Sequence, residues 1–407
     1  MIYFLLPRLS FQNYQHIDYI TMVQECTTPV NSLSHYLYDI KERINTCQAD
    51  WDMYKKITNP YEYIHSPIYQ KKKCIANYKP LSRSFFKMIE LSFFLKPKID
   101  DINPINTFHL AEGPGGFIEA IAHLRKNKED TYTGMTILSD ENDQNIPAWK
   151  KSAHFLKENP NVNIETGQDG TGNILSFTNY EYCKQKYKSS MDIITGDGGF
   201  DFSVDFNKQE INIANLLFAQ IAFALVMQKP GGVFVLKIFD CFMQHTIELL
   251  AILASFYEHV YITKPQTSRY ANSEKYIVCL GFIRISDDFM VYLDQAFEKM
   301  SSITSLPLHF LNSPIPHLFL MKVDEYNSIF GQQQIENIHY TLSLIENRFK
   351  TDKIDNLIKQ NVQKCIQWCT KHSVPYNNIP TNINIFLSDD IDTSANTVRR
   401  QSAFIRY

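Results

Sequence analysis

The sequence predicts an α/β fold built around a largely parallel sheet, on three observations. Between about residues 100 and 285, short apolar runs of strand length alternate with longer stretches of helical periodicity. Glycine and proline punctuate those runs, at Gly113-Pro114-Gly115-Gly116 and again at Pro230-Gly231-Gly232. Residues able to do chemistry fall at the carboxyl ends of the runs, where open α/β sheets bind their ligands.

The elements follow in order. Residues 1–80 read as a separate, mostly helical extension, because Leu37, Ile40, Ile44, Cys47 and Trp51 recur at helical spacing. Asn59-Pro60, a turn-like stretch and the basic run Lys71 to Lys73 come next, and Ser82 is placed to cap a helix carrying Lys87. Residues 81–287 form the α/β domain. Its first strand is expected at Ile105 to Ala111, followed by the glycine turn and a helix through Leu124. Tyr132 to Leu138, Val162 to Glu165 and Met191 to Thr195 predict further strands, ahead of a long helix from about Gln209 to Met227. Val233 to Ile238, Val260 to Thr263 and Tyr276 to Phe282 complete the sheet, with a helix around Thr246 to Phe256. Residues 288–407 return to helix and loop, with helices across Leu342 to Leu357 and Val362 to Cys369 and a polar tail after Ser388.

Composition narrows the function classes. With 407 residues the chain is long enough for two or three domains. Its 40 Lys+Arg face 43 Asp+Glu, so any nucleic-acid contact must rest on local patches rather than a global basic field. The 28 Phe and 23 Tyr belong mostly to the core, with some available to stack bases. The cysteines lack the paired spacing of a zinc site, and Cys365, Cys369 and His372 fit an apolar helix face, so no metal is expected. Reduced thiols suit an intracellular compartment. MIYFLLPRLS lacks the basic start of a signal peptide, and the apolar run Leu216 to Met227 is shorter than a membrane span, so a soluble protein without membrane partners is expected.

Four residues stand out as candidates for chemistry: Lys87, Asp197, Lys237 and Glu274. Taken alone, Lys87 reads as a solvated helix charge and Asp197, before Gly198-Gly199, as a turn residue. Lys237 resists that reading, because Val233 to Phe239 is otherwise apolar and a lysine there is costly without a partner. The glycine turn permits a tight strand-to-helix connection and close approach of a ligand to the backbone. It departs from the spaced G-x-G-x-x-G of dinucleotide folds, which counts against a nicotinamide dehydrogenase.

Six stretches make the pattern specific: SRSFFKMIEL, HLAEGPGGFIEA, GQDGTGNI, DIITGDGGFD, GGVFVLKIFD and TKPQTSRYANSEKYIVCLGF. Across about residues 80–285 the chain resembles the FtsJ family of RNA ribose methyltransferases, most of all its mRNA cap 2′-O-methyltransferases of eukaryotes and large DNA viruses. The resemblance implies a Rossmann-like class I methyltransferase sheet, mostly parallel with its last strand antiparallel, and S-adenosylmethionine as cofactor. It assigns the catalytic positions to Lys87, Asp197, Lys237 and Glu274. Cofactor contacts fall on Glu112, Gly113, Pro114, Gly115, Gly116 and Phe117, and on Asp169, whose counterpart in the family accepts from the adenine amino group. His109 stands where the family has an aspartate, and Asp140 is the nearest match to an acid at the end of the second strand, so Glu112 is expected to supply a carboxylate instead.

Methyl transfer from a sulfonium is an in-line displacement, so alignment of the 2′-oxygen supplies much of the rate. Lys237 is the expected general base or hydroxyl-orienting group, with Lys87 and Glu274 steering the ribose and Asp197 holding Lys237. Two neighbouring lysines depress each other while the acids push the other way, a balance the sequence leaves open. Arg83, Lys264, Arg269 and the Lys71 to Lys73 run are expected to form a phosphate-binding rim. The expected substrate is the capped 5′ end of mRNA, with capping or transcription proteins as further partners. Ribosomal or transfer RNA is the alternative substrate. A catalytically silent RNA-binding subunit would be marked by loss of one of the two lysines, and both are present. A viral source would place the protein in the cytoplasm, a cellular cap enzyme in the nucleus.

Overall fold

The computed structural model describes residues 1–10, 17–21, 32–69, 71–138, 148–199, 206–303 and 305–377. Asp140 and the tail after Ser388 lie outside them. The N-terminal part contains β1 (Ile2–Leu5), β2 (Ile17–Thr21), α1 (Ser32–Glu42), α2 (Gln48–Thr58), α3 (Ser84–Leu91) and α4 (Lys96–Ile99). The middle runs through β3 (Asn106–Leu110), α5 (Gly116–Arg125), β4 (Thr131–Met135), α6 (Ala153–Glu158), β5 (Val162–Glu165), α7 (Phe177–Tyr187), β6 (Met191–Gly196) and α8 (Gln209–Asn212). It continues with α9 (Ala214–Met227), β7 (Gln228–Ile238), α10 (Gln244–Phe256), β8 (Tyr257–Lys264) and β9 (Lys275–Phe282). Last come α11 (Asp287–Ser302), β10 (Pro307–Leu311), α12 (His317–Glu346) and α13 (Thr351–Lys371).

Eight strands form one sheet in the order β1-β8-β9-β7-β6-β3-β4-β5. β7, β6, β3, β4 and β5 are parallel neighbours, and β9 lies antiparallel between β7 and β8, as the fold class requires. Helices cover both faces, so the central strands have no solvent side and read as continuous apolar runs. Successive residues of β7 still point to opposite faces: Phe234, Leu236 and Ile238 join one core cluster, Val233 and Val235 the other. α9 is buried on nearly every side, which explains why Ala214 to Met227 shows no polar stripe.

Three expectations change. The first concerns residues 1–80, whose regular elements are mostly helical as expected but which are not separate, and which also supply two strands. β1 pairs antiparallel with β8 at the sheet edge, Leu6 N donates to Val260 O at 2.8 Å, and Phe4 stacks on Tyr326 of α12 with centroids 4.7 Å apart. β2 pairs with β10 from the C-terminal region, and α1, α2 and the 3-10 turn that joins them bury Leu37, Ile40, Ile44 and Trp51 against Ile335, Ile338 and Leu342. Four residues carry no periodic signal, so β1 exists only because the β8 edge is there to pair with. Second, Pro230 to Gly232 is a bulge inside β7 rather than a turn ahead of it; the register slips there and Gly231 takes φ +74°. Third, the helix expected across Leu342 to Leu357 breaks after Glu346, where Asn347 Nδ2 donates back to Ser343 O at 2.8 Å.

If the N-terminal strand is integral to the core, Leu6→Ala should lower global stability by about 2–4 kcal/mol. Urea titration followed by tryptophan fluorescence and far-UV circular dichroism should show both transitions moving together. A core transition left in place would mean that the strand docks without supporting the sheet.

Candidate active site

Two lysines and two carboxylates meet at the carboxyl ends of β6 and β7. α3 buries Phe85, Phe86, Met88, Ile89 and Leu91, and Lys87 is carried inward with them to 5% exposure. Its Nζ lies 2.8 Å from both carboxylate oxygens of Glu274, the residue just before β9. Ser268 Oγ also donates to Glu274 Oε1, at 2.5 Å. On the adjacent strands, Lys237 Nζ donates to the Asp197 carbonyl oxygen at 2.6 Å and sits 3.4 Å from Asp197 Oδ1. Tyr276, opposite Lys237 in the β7–β9 register, donates its hydroxyl to Asp197 Oδ1 at 2.9 Å. Gly199 leaves room for the ammonium, since a Cβ there would come within 3.1 Å of Lys237 Nζ.

The electrostatic balance now has a direction. Burial lowers the Lys87 ammonium below its usual range, outweighing the opposing Glu274 carboxylate. For Glu274, burial alone would raise the carboxyl, but Lys87, Lys237 and Arg83 overcome it and hold the group well below the usual carboxylate range. Glu274 therefore stays ionised while the cations crowd one another.

A second layer of residues fixes the first, and sequence reading missed most of it. Glu90, one turn after Lys87 on α3, is buried and accepts from Gln266 N, Thr267 N and Thr267 Oγ1 at 2.7–2.8 Å. Helix α3 thus grips the 266–274 loop at two points, through Lys87 and through Glu90. The available signal was a second charge inside the apolar run FFKMIEL.

The expected RNA-contacting residues fare differently. Lys264 is corrected: it is 6% exposed and donates to the Asn272 and Glu274 carbonyl oxygens at 2.6 and 2.7 Å, so it ties down the Glu274 loop instead of lining a phosphate rim. Burial, helped by Lys275, lowers its ammonium to about 7. Arg269 forms a fork with Glu62, Nε to Oε2 at 2.9 Å and Nη2 to Oε1 at 2.6 Å. Its Nη1 makes no hydrogen bond among the described residues. Arg83 is half-buried in the same charge cluster, and its Nε has no partner among the described residues.

The expected cofactor positions line the same edge. Glu112 is buried and caps α5, its Oε1 accepting from Phe117 N at 2.7 Å and Ile118 N at 3.0 Å. Burial pushes its carboxyl up to about 8, against the pull of those amides and with Asp197 adding to the rise. Gly113, Pro114, Gly115 and Gly116 form the turn into α5, with Gly115 at φ +108° and Gly116 packed where a Cβ would meet Ser82 and Ser84. Phe117 is fully buried behind it. His109, in place of an acid, is a buried core histidine bridging Thr195 and Thr107 at 2.8 and 2.9 Å. Asp169 is exposed after β5 and accepts from Thr171 N, Thr171 Oγ1, Ser176 Oγ and Asn179 Nδ2. β5 lies three strand spacings from β6, so the segments that follow them, with Asp169 and Asp197, are roughly 14 Å apart along the sheet edge. Carboxylates at both ends and glycine backbone between them suit a cationic ligand with an adenine group, such as S-adenosylmethionine. Among the described residues no cluster of His, Cys, Asp and Glu is arranged to hold a metal.

A groove of about 430 Å³ opens beside Lys237 and Glu274 and runs between α2 and the 269–274 loop. Other hollows, beside Arg8 and Glu258 at the far end of β8, contain none of the four candidate residues.

The FtsJ-like methyltransferase family matches residues 80–282. Among curated relatives, the cap-specific mRNA (nucleoside-2′-O-)-methyltransferase 1 of Trypanosoma brucei brucei is 30% identical over 245 residues, covering 58% of this chain and 64% of that protein. The cap-specific mRNA (nucleoside-2′-O-)-methyltransferase 2 of Drosophila melanogaster is 30% identical over 54% of this chain and 33% of its own length. Its mouse counterpart is 26% identical over 82% of this chain and 44% of its own length. The chain thus spans between 30% and 64% of the length of these and similar curated relatives.

Lys264 supplies a test of its reassignment. A folded pKa near 7 lies below the unfolded value of about 10.4, so this group makes stability rise with pH between those values and imposes its full penalty below pH 7. Lys264→Met should therefore flatten the rise of unfolding free energy across pH 7–10 relative to wild type. The same slope in both proteins would show that Lys264 is solvated and unperturbed.

Proposed function

The chain belongs to the FtsJ-like methyltransferase family through residues 80–282, and from that premise we propose that it transfers a methyl group from S-adenosylmethionine to the ribose 2′-oxygen of a cap-proximal nucleotide of mRNA. The observation that carries the reading is the pairing of Lys87 with Glu274 and of Lys237 with Asp197, with Lys237 and Glu274 lining one groove. Names of the curated relatives support the cap as substrate.

When bound, S-adenosylmethionine supplies an electrophilic methyl group on a positively charged sulfur. The residues of the chain supply alignment and proton handling. Lys237 has one N–H committed to the Asp197 carbonyl and another directed at its carboxylate, which leaves the third position of the nitrogen for the 2′-hydroxyl. Its amine form would accept the 2′-hydroxyl proton, and Asp197 would stabilise the ammonium produced. Lys87 and Glu274, locked to each other and to Ser268, hold the ribose in line. Glu112 holds the turn into α5 through the Phe117 and Ile118 amides, beside the glycines expected to meet the cofactor. Capping or transcription proteins are the partners this reading anticipates, in the cytoplasm for a viral source or the nucleus for a cellular one.

Labelled S-adenosylmethionine and short RNAs ending in a methylated cap, an unmethylated cap or a triphosphate test the proposal. Cap-dependent label is expected, mapping to a ribose 2′-oxygen after nuclease digestion and falling about 10²–10⁴-fold in Lys237→Ala. Label that ignores the cap would move the substrate to ribosomal or transfer RNA. Intact Lys237→Ala activity would remove that lysine from the chemistry.

A further inference from the structure

Helix α2 lies outside the region that matches the family, yet one of its faces forms a wall of the groove. Gln48, Trp51, Asp52 and Lys55 recur at intervals of three and four residues and line the cavity together. Across the gap stand Arg269 and the loop leading to Glu274, and at the end of the groove lies Lys237. Whatever presents a ribose to Lys237 must extend into this space.

The charges along it are arranged for exchange. Lys55 Nζ is held by Asp52 through a short contact, but Asp52 is 65% exposed, and a pair so open to water contributes little. Arg269 spends Nε and Nη2 on the buried Glu62 and keeps Nη1 uncommitted among the described residues. Arg269 and Lys55 also both act on the Asp52 carboxyl, which places all three groups within one electrostatic neighbourhood. By contrast Lys41 is tied to Asp240 at 3.0 Å with its side chain 7% exposed, and it serves to dock α1 on the chain just beyond Lys237.

We propose that the face of α2 carrying Lys55, together with Nη1 of Arg269, binds a backbone phosphate of the RNA next to the nucleotide being methylated. Asp52 is the internal stand-in for that phosphate. The inference rests on the methyl-transfer reading, since it takes the ribose to be at Lys237. It makes Lys55 a substrate-positioning residue supplied by the N-terminal segment, and it predicts opposite effects of two neighbours one turn apart.

Equilibrium binding of a 3′-fluorescein-labelled, capped oligoribonucleotide, measured by anisotropy at several salt concentrations, is the test. Lys55→Ala is expected to weaken binding by about 3–10-fold at low salt and to reduce the slope of log K against log[salt] by about 0.7, one phosphate contact on a single strand. Asp52→Asn, which releases Lys55, should tighten binding at low salt. Weakening in both variants with an unchanged salt slope would mean that this face of α2 is merely structural and would overturn the inference while leaving the activity standing. A wild-type protein that binds no capped or uncapped RNA would overturn the inference and the reading beneath it together.

Discussion

Four charged groups, Lys87 buried and the other three largely withdrawn from solvent, meet at one edge of a sheet, and the rest of the molecule is organised around keeping them paired. An isolated ammonium or carboxylate at this depth would be several kcal/mol out of balance. Lys87 with Glu274, and Lys237 with Asp197, avoid that cost only because α3, β6, β7 and the loop before β9 bring them within hydrogen-bond reach. β6 and β7 are adjacent parallel strands, so Asp197 and Lys237 meet through sheet register alone. The other pair needs more support. Glu274 sits on a loop, and that loop is pinned by Glu90 from α3, by Lys264 from β8 and by the Arg269–Glu62 fork.

The segments flanking the family domain join the same structure. β1 closes the sheet edge beside β8, and α1 and α2 pack on α12 so that one face of α2 looks into the groove at Lys237. Lys41 ties α1 to Asp240, three residues beyond Lys237. The groove is therefore bounded by chain from both outside and inside residues 80–282.

The parts legible in the sequence share a physical signature. Strands buried on both faces are continuous apolar runs, and a lysine or a glycine turn at the end of such a run is conspicuous. Lys237 and Gly113 to Gly116 could be placed for that reason. What could not be placed depends on contacts across long sequence separations. β1 is four residues whose partner is 256 or more positions away, by the pairing of Leu5 with Tyr261. Lys264 looked like a surface cation because a lysine ending a strand usually is one; only the carbonyls of Asn272 and Glu274 show it to be internal. Arg269 is committed to a glutamate 207 residues earlier. The groove face of α2 was hidden in a helix whose periodicity reads simply as core, and Trp51 indeed serves both.

The central claim is that Lys87 and Glu274 act as one unit in aligning the ribose. A double-mutant cycle on the rate of the chemical step tests it most directly, using single-turnover methyl transfer at saturating RNA and S-adenosylmethionine with Lys87→Met, Glu274→Gln and the combination. The account predicts strong coupling, the double variant being no slower than the slower single variant, because either substitution already dissolves the unit. Losses that multiply, as for independent groups, would contradict it.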